Sequence, residues 1–326
     1  MLAFVIRRLL YSIPVALGVY AITFGLFHIR DPMAIARTNL QQAPVPVLQN
    51  WVRANGYHLP YFLNLPYMAE EVRADGRVHP EFKEHGILYS RFFLGLEDLL
   101  TADFGTDRSG RRIAGEIVRR AGPALMLKTP SVFVTHLLSL ALSVLAAYRR
   151  GRLDSHLRLI SVSLMSIPLP AFLLASGWIF GDLVRLFPIH GSVTPAVVVA
   201  VIAGIGSNIR FFRTVLADSV TAPFVRAARL RGATDNVLMV RHILRNTMIP
   251  ILTTVVISLP FLIGGSLLLE QFYGIAGMGD MLFTAILSQD FPVIRAMVYM
   301  GAFLYMTGNI LTDISYALAD PRIRLE

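Results

Sequence analysis

Along the chain, apolar runs long enough to cross a bilayer alternate with short stretches dense in arginine. A spanning helix needs about 20 mostly apolar residues. The first such run is LLYSIPVALGVYAITFGLFHI, directly after Arg7 and Arg8, and others fall near 129–148, 159–180, 195–212, 249–269 and 293–311. Arginines gather at Arg7 and Arg8, at Arg149, Arg150, Arg152 and Arg158, from Arg210 and Arg213 through 226–245, and at Arg322 and Arg324. Short loops rich in arginine stay on the cytoplasmic side. The pattern predicts an all-α membrane protein with six transmembrane helices, both termini inside (N-in/C-in), and a long extracytoplasmic segment after the first helix. A signal peptide is the rival for the first run, because Ala34-Ile35-Ala36 resembles a cleavage site. The run exceeds the roughly 7–15 apolar residues of a signal peptide, so we read it as a retained helix.

Three regions follow: 1–30 for the N-terminus and first helix, 31–128 for the extracytoplasmic segment, and 129–326 for a five-helix core with a cytoplasmic loop at 218–250. Residues 31–128 mix both charges with Pro44, Pro46, Pro60, Pro66 and Pro80, and no part of them spans. Short helices are expected near 45–53 and 94–102. Trp51, Tyr57, Tyr61, Phe62, Tyr67, Phe92 and Phe93 should pack as a small cap or lie at the interface. In HPEFKEH, His79, Glu81, Glu84 and His85 raise a metal site, but no local geometry fixes them as ligands, and a solvated run is the better reading. Ile113, Ile117 and Arg120 stand at helical spacing, as in an amphipathic helix entering the bilayer.

The loop DSVTAPFVRAARLRGATDNVLMVRHILRNTMIP sets Arg226, Arg229, Arg231, Arg241 and Arg245 against only Asp218 and Asp235. Val225, Ala228 and Leu230 lie among arginines before Gly232, and Val237, Leu238, Val240, Ile243 and Leu244 recur at helical spacing after it. The expectation is helix, tight turn, helix. Gly232 supplies a positive φ, Asp235 caps the second helix, and Pro250 opens the next span. A hairpin this short is no domain, but it can offer a rigid basic knob to a soluble partner.

Breakers inside the runs supply pathway or gate candidates. Pro168 and Pro170 interrupt the third run. In lipid the freed carbonyls need protein or water, so the break either lines a pathway or is a structural kink. Gly177 and Gly181, then Gly204, Gly206 and Asn208, then Pro260, Gly264 and Gly265, mark places where backbones can approach at an interface or along a conduit. Glu270, just past the fifth run, is either a gate contact or an ordinary interfacial charge.

Composition narrows the function. The 326 residues are 55% hydrophobic and 16% charged, with a mean hydropathy of +0.59; soluble domains are about a quarter charged. A net charge of +9 invites a nucleic-acid reading, yet many of the arginines flank apolar runs, which points to the lipid bilayer and away from nucleic acid. The absence of cysteine removes disulfides and thiolate chemistry. There is no G-x-x-x-x-G-K-[ST], and the lysines are Lys83 and Lys128 alone, so the chain cannot cradle nucleotide phosphates in a P-loop. H-E-x-x-H and G-x-S-x-G are missing too. Carboxylates of the kind that secondary transporters use are scarce at the run centres.

The run VRAARLRGATDNVLMVRHILRNTMIP resembles the cytoplasmic EAA loop of permease subunits in binding-protein-dependent ABC importers, in the form found in peptide importers. The matching positions are Val225, Arg226, Ala228, Arg229, Arg231, Gly232, Arg241, His242, Arg245, Asn246 and Pro250, with Arg226 where the generic loop has glutamate. Asp103-Phe104-Gly105 and Arg120 fit the same family, with Ala124 in place of threonine. Glu270, Phe272, Gly277, Gly279, Asp290 and Pro292 also fit, with Gln289 in place of arginine, and the closing DISYALADPRI is similar to that of the Yej-type branch.

The resemblance implies a non-catalytic permease subunit of the bacterial inner membrane that forms half of a pathway for peptides or related small solutes. It implies a second homologous permease in a heterodimer, cytoplasmic ABC ATPase subunits and an extracytoplasmic substrate-binding protein. No cofactor is expected on this chain; ATP and magnesium would sit on the ATPase. The expected ATPase-coupling residues, on the resemblance and the hairpin's own pattern, are Val225, Arg226, Ala227, Ala228, Arg229, Leu230, Arg231, Gly232, Asp235, Arg241, His242, Arg245 and Asn246. The alternatives are an ion-coupled secondary transporter and a membrane scaffold without an ATPase partner.

Overall fold

The computed structural model describes residues 2–28, 32–40, 43–54, 56–64, 86–148, 151–183, 188 and 190–319. His79, Glu81, Glu84 and His85, together with Arg149, Arg150 and the closing Arg322 and Arg324, lie outside the described residues. Among the described residues the chain is helical, and its β content is one isolated bridge between Thr106 and Arg112.

In order, the helices are α1 (Leu2–His28), α2 (Pro32–Asn39), α3 (Val45–Ala54), α4 (Arg91–Leu100), α5 (Ile113–Tyr148), α6 (Arg152–Ser166) and α7 (Leu169–Ser176), which runs on as a π-helix over Gly177–Leu183. Then come α8 (Val193–Val220), α9 (Pro223–Leu230), α10 (Asp235–Ser258) with a π-helical stretch at Leu238–Leu244, α11 (Leu267–Tyr273), α12 (Met278–Ser288) and α13 (Phe291–Ala319).

Three helical stretches are long and apolar enough to cross a membrane: Ile6–Phe27 within α1, α5 and α8. Two bent pairs raise the number to five if each is one span: α6 with α7 and its π extension, turned by 93°, and α10 with the stretch Pro260–Tyr273, turned by 40°. The sixth expected run lies in α13, whose apolar sequence is diluted by Arg295, Asn309 and Asp313.

Local structure revises the expected boundaries. The entering helix and the second run are one 36-residue helix, α5, about 54 Å long at 1.5 Å per residue. Pro250 does not open a span; it sits inside α10, because the second arm of the hairpin runs straight on into the apolar run. Pro168 ends α6 and takes an extended backbone conformation before α7, with Pro170 in the first turn of α7. Two prolines within three positions thus yield a right-angle turn.

The chain divides into two compact units. One comprises Met1–Ser12, Ile117–Thr284 and Phe303–Glu326, and the other Ile13–Glu116 and Ala285–Ala302. In the first, a polar seam fastens α5 to α8: Ser139 Oγ donates to Ile205 O at 3.4 Å and Ser143 Oγ to Ile209 O at 3.3 Å. Thr135, Ser139 and Ser143 are buried at successive four-residue steps, the small polar stripe that lets helices approach in lipid. Gly206 brings α8 onto α6, with Ser161 O 2.9 Å from where a Cβ would stand. A second cluster gathers Leu127, Leu173, Ala196, Val199, Leu269 and Tyr273, and Tyr273 Oη meets Ser176 Oγ at 2.6 Å.

In the second unit Phe92 of the expected cap packs on aromatics of α1 and α13, while Tyr61 and Phe62 stay exposed. Tyr20, Phe24 and Tyr299 form the buried centre, with Phe92, Leu96, Leu99 and Phe104 around them. Tyr20 packs edge-on to Phe92 at 5.0 Å and donates its hydroxyl to Phe92 O at 2.5 Å. Trp51 stacks on Tyr57 at 5.5 Å. Tyr67 lies outside the described residues.

Candidate functional site

The basic hairpin is built by a glycine turn. Gly232 has φ +83, Ala233 N donates to Ala228 O at 3.2 Å, and Gly232 N to Arg229 O at 2.9 Å. This is a Schellman end, which a left-handed residue makes possible. Asp235 does not cap the next helix: Thr234 holds the cap position, without a side-chain bond. Asp235 is the first helical residue, and it turns back across the glycine to Arg229 at 3.3 Å. Both side chains are mostly exposed, at 64% and 72%, so this pair contributes little to stability.

The two faces of α9 differ sharply. Val225 and Ala228 are buried, packed with Leu216, Leu238, Met239 and Ile243, with Val144 and Ala147 of α5 against them. They are therefore turned into the bundle and not outward, although both stand among the expected coupling residues. Their three-residue spacing turns them both inward, onto the ends of α5 and α8. Arg226, Ala227, Arg229 and Arg231 are exposed, and Leu230 is 89% exposed. Phe224, Val237 and Val240 add exposed apolar surface on the hairpin. Phe224 does not stand out in the sequence, and Val240 does so only among apolar positions at helical spacing, because periodicity alone does not distinguish an exposed apolar residue from a buried one.

Arg241 and His242 lie in the π-helical stretch, and Arg245 and Asn246 directly follow it. Asn246 Nδ2 donates to His242 O at 2.7 Å, and Thr247 Oγ1 donates to Ile243 O and Leu244 O at 3.1 and 3.0 Å. These side chains supply donors to carbonyls where the π stretch passes back into α-helix, a junction at which backbone pairing changes register. Arg241 and Arg245 are exposed, and His242 is half-buried.

At the start of α6, Asp154 receives Arg213 of α8 through two guanidinium nitrogens, with Nη2 to Oδ2 at 2.8 Å. Arg158 stands 3.6 Å from the same carboxylate. The sequence showed these arginines as orientation charges; their convergence on one aspartate depends on α6 lying along α8.

Glu270 pins the turn around it. It is fully buried in α11. Oε1 accepts the Ser266 N–H at 2.7 Å, Oε2 accepts the Asp280 N–H at 3.0 Å, and the Gly279 N–H also bonds the carboxylate. Cβ atoms at Gly265 or Gly277 would run into its carboxylate, and one at Gly279 into the backbone of Ser266 and Leu267. Gly265, with φ +70, thus gives room to this carboxylate. The same turn is held from α5 by Arg120, whose Nη1 donates to Asp280 Oδ2 at 2.6 Å.

Of the other pathway candidates, Pro168 and Pro170 are exposed at the bend, while Asn208 and Gly264 are half-buried on α8 and after Pro260–Leu262. No group of three or more His, Cys, Asp or Glu side chains among the described residues could hold a metal ion.

Residues 139–325, more than half of the chain, match the family described as binding-protein-dependent transport system inner membrane component. The oligopeptide transport system permease protein AppB of Bacillus subtilis (strain 168) is 28% identical, with 99% of each chain covered. The glutathione transport system permease protein GsiC of Escherichia coli (strain K12) is 29% identical over 73% of this chain and 80% of its own length. GsiC of Shigella boydii serotype 4 (strain Sb227) has the same identity and coverage. The matched region contains the seam of α5 and α8, the hairpin and the Glu270 turn, and the chain belongs to this family of inner membrane components, as a multi-pass, non-catalytic permease subunit of an ABC importer whose ATPase is a separate partner.

Proposed function

We propose that this subunit forms one half of a pathway for short peptides, and that an ATPase subunit grips the α9–α10 hairpin to switch it. The observation that carries the proposal is the two-faced α9. Val225 and Ala228 lock its inner face into the helix bundle, while Arg226, Arg229, Leu230 and Arg231 stand outward. A handle must be rigidly attached on one side and available on the other. Arginine forks suit carboxylates in an ATPase groove, and Leu230 gives an apolar contact between them.

Nucleotide-driven closure would pull the hairpin. The shift would pass through the Leu216–Val225 cluster to α5 and α8, and through Arg213 and Asp154 to α6, as a rigid displacement of packed helices. Access would alternate between the two membrane faces. Six spans serve this design: α1, α5, α6 with α7, α8, α10 with α11, and α13, with both termini in the cytoplasm. Arg8 and Asp313, 3.0 Å apart, bring the start of α1 beside the last turns of α13, as an even number of crossings requires. Pro168, Pro170, Asn208 and Gly264 remain candidates for the pathway wall.

The assembly would contain a second homologous permease, ABC ATPases that carry ATP and magnesium, and an extracytoplasmic binding protein. The names of the relatives, oligopeptide and glutathione permeases, support a short-peptide substrate. The test is peptide uptake and ATP hydrolysis in proteoliposomes that contain the whole assembly. Arg229→Glu and Gly232→Val should leave assembly in the membrane and uncouple hydrolysis from uptake. Normal uptake by both variants would defeat the coupling role, and uptake by this subunit without any ATPase would favour an ion-coupled transporter.

A further inference from the structure

The unit made of Ile13–Glu116 and Ala285–Ala302 carries an open cavity of about 500 Å³ that the coupling mechanism does not use. Two cations border it without a matched counter-charge. Arg91 opens α4, donates through Nε to Leu59 O at 2.7 Å, and lies over the rings of Tyr61 and Tyr57 at 4.7 and 5.5 Å. Its Nη1 is buried and, among the described residues, has no hydrogen-bond partner. Burial pulls the Arg91 guanidinium below its usual range, with the two tyrosines opposing that shift. Arg295, near the start of α13, borders both this cavity and a neighbouring one of about 490 Å³. Among the described residues it makes no hydrogen bond or ion pair, and Asp98 is the carboxylate that feels its field. The other charges at the cavity are already engaged: Arg108 Nη2 donates to Gln289 O at 3.0 Å, and Asp107 pairs with Arg111 at 2.8 Å.

The buried Nη1 is closed to the cavity, so a ligand there would meet the charge of Arg91 and the fork of Arg295; an arginine fork is shaped for a carboxylate. Arg91 and Arg295 against the single carboxylate of Asp98 leave one positive charge, which suits a monoanion. Apolar surface lines the same cavity, with Trp51 stacked on Tyr57 and Phe104 beside it. The volume lies within the roughly 300–1,000 Å³ of small-molecule sites. We propose that this cavity binds a small apolar molecule bearing one carboxylate, such as the C-terminal end of a short peptide, with Arg91 and Arg295 as its cationic partners and the Trp51–Tyr57 wall against its side chain. The choice of a peptide rests on the proposed function; the carboxylate does not.

The chain has two tryptophans, Trp51 and Trp178, so Trp178→Phe leaves Trp51 as the sole indole reporter. Full-length protein in nanodiscs of neutral lipid, without ATPase or binding protein, would be titrated with N-acetyl-Phe-Phe and with its C-terminal amide. We expect saturable quenching by the acid and at least tenfold weaker binding of the amide. Arg295→Gln should weaken the acid at least tenfold and leave the amide unchanged, and Arg295→Lys should restore part of the loss. Loss of both ligands in Arg295→Gln would indicate misfolding, and Arg295→Lys then decides by its acid-to-amide ratio. Equal binding of acid and amide, an unaffected Arg295→Gln, or no quenching at all would overturn the proposal. Competition by inorganic phosphate as strong as by the acid would overturn its carboxylate specificity and point to phosphate groups, lipid headgroups included. The assay uses no ATP, so failure here leaves the coupling test standing, and the reverse holds as well.

Discussion

Arg213 holds Asp154 with two guanidinium nitrogens, which ties the first turn of α6 to α8 within the unit that also carries the hairpin. The side chains are 24% and 22% exposed, and the contact is two-pronged. Solvent reduces its worth to about 0.5–1 kcal/mol, the upper part of the range for surface pairs. In a double-mutant cycle, Asp154→Asn and Arg213→Gln should each cost about that much, and the double variant little more than either. Full additivity in thermal unfolding would show that the pair is not coupled. In the reconstituted assembly, either change should lower uptake per ATP hydrolysed.

Glu270 should be intolerant of truncation. Glu270→Ala removes the acceptor for three backbone N–H groups, two of them part-buried, and a buried N–H left unmet costs about 1–3 kcal/mol. We expect a loss of several kcal/mol, seen as low membrane yield and a lower Tm in detergent. Glu270→Gln keeps one acceptor oxygen and should lie between. A wild-type Tm for Glu270→Ala would remove the pin from the account of this turn.

Two glycines on α8 should respond differently to alanine. A Cβ at Gly206 would stand 2.9 Å from Ser161 O and 3.0 Å from Leu164 Cβ, whereas one at Gly204 would meet Thr135 Cγ2 at 3.4 Å. Gly206→Ala should cost about 1–3 kcal/mol by forcing α6 and α8 apart, and Gly204→Ala clearly less. Thermal unfolding of the two variants side by side checks the order.

At Gly232 the obstacle is the backbone alone. A Cβ there has nothing within 4 Å, but φ is +83. Gly232→Asn should therefore be tolerated and Gly232→Val should cost about 1–2 kcal/mol locally. Hydrogen exchange of the α9 amides would report the difference, with Gly232→Val faster than Gly232→Asn.

Much of the architecture was legible in the chain. Helical runs, the glycine turn at 232, the short helices near 45–53 and 94–102 and the proline break at 168 all follow from local chemistry. Backbone propensity and the exclusion of charge from lipid act on neighbouring residues, so their marks survive in the order of residues. The arginine-rich hairpin stood out for the same reason, as did its resemblance to a permease loop.

What the sequence by itself determined was thus the membrane class, the helical elements and the family. Tertiary structure alone decided the rest: that Val225 and Ala228 face inward while Leu230 faces out, that Pro250 lies within a continuous helix, and that Glu270 is enclosed by the N–H groups of Ser266, Gly279 and Asp280. It also decided that Arg91 and Arg295 border a cavity with no matched carboxylate. Each of these depends on which surface another helix covers. A charge or a methyl group has its role set by what is packed against it, and residues far apart in the chain supply that packing.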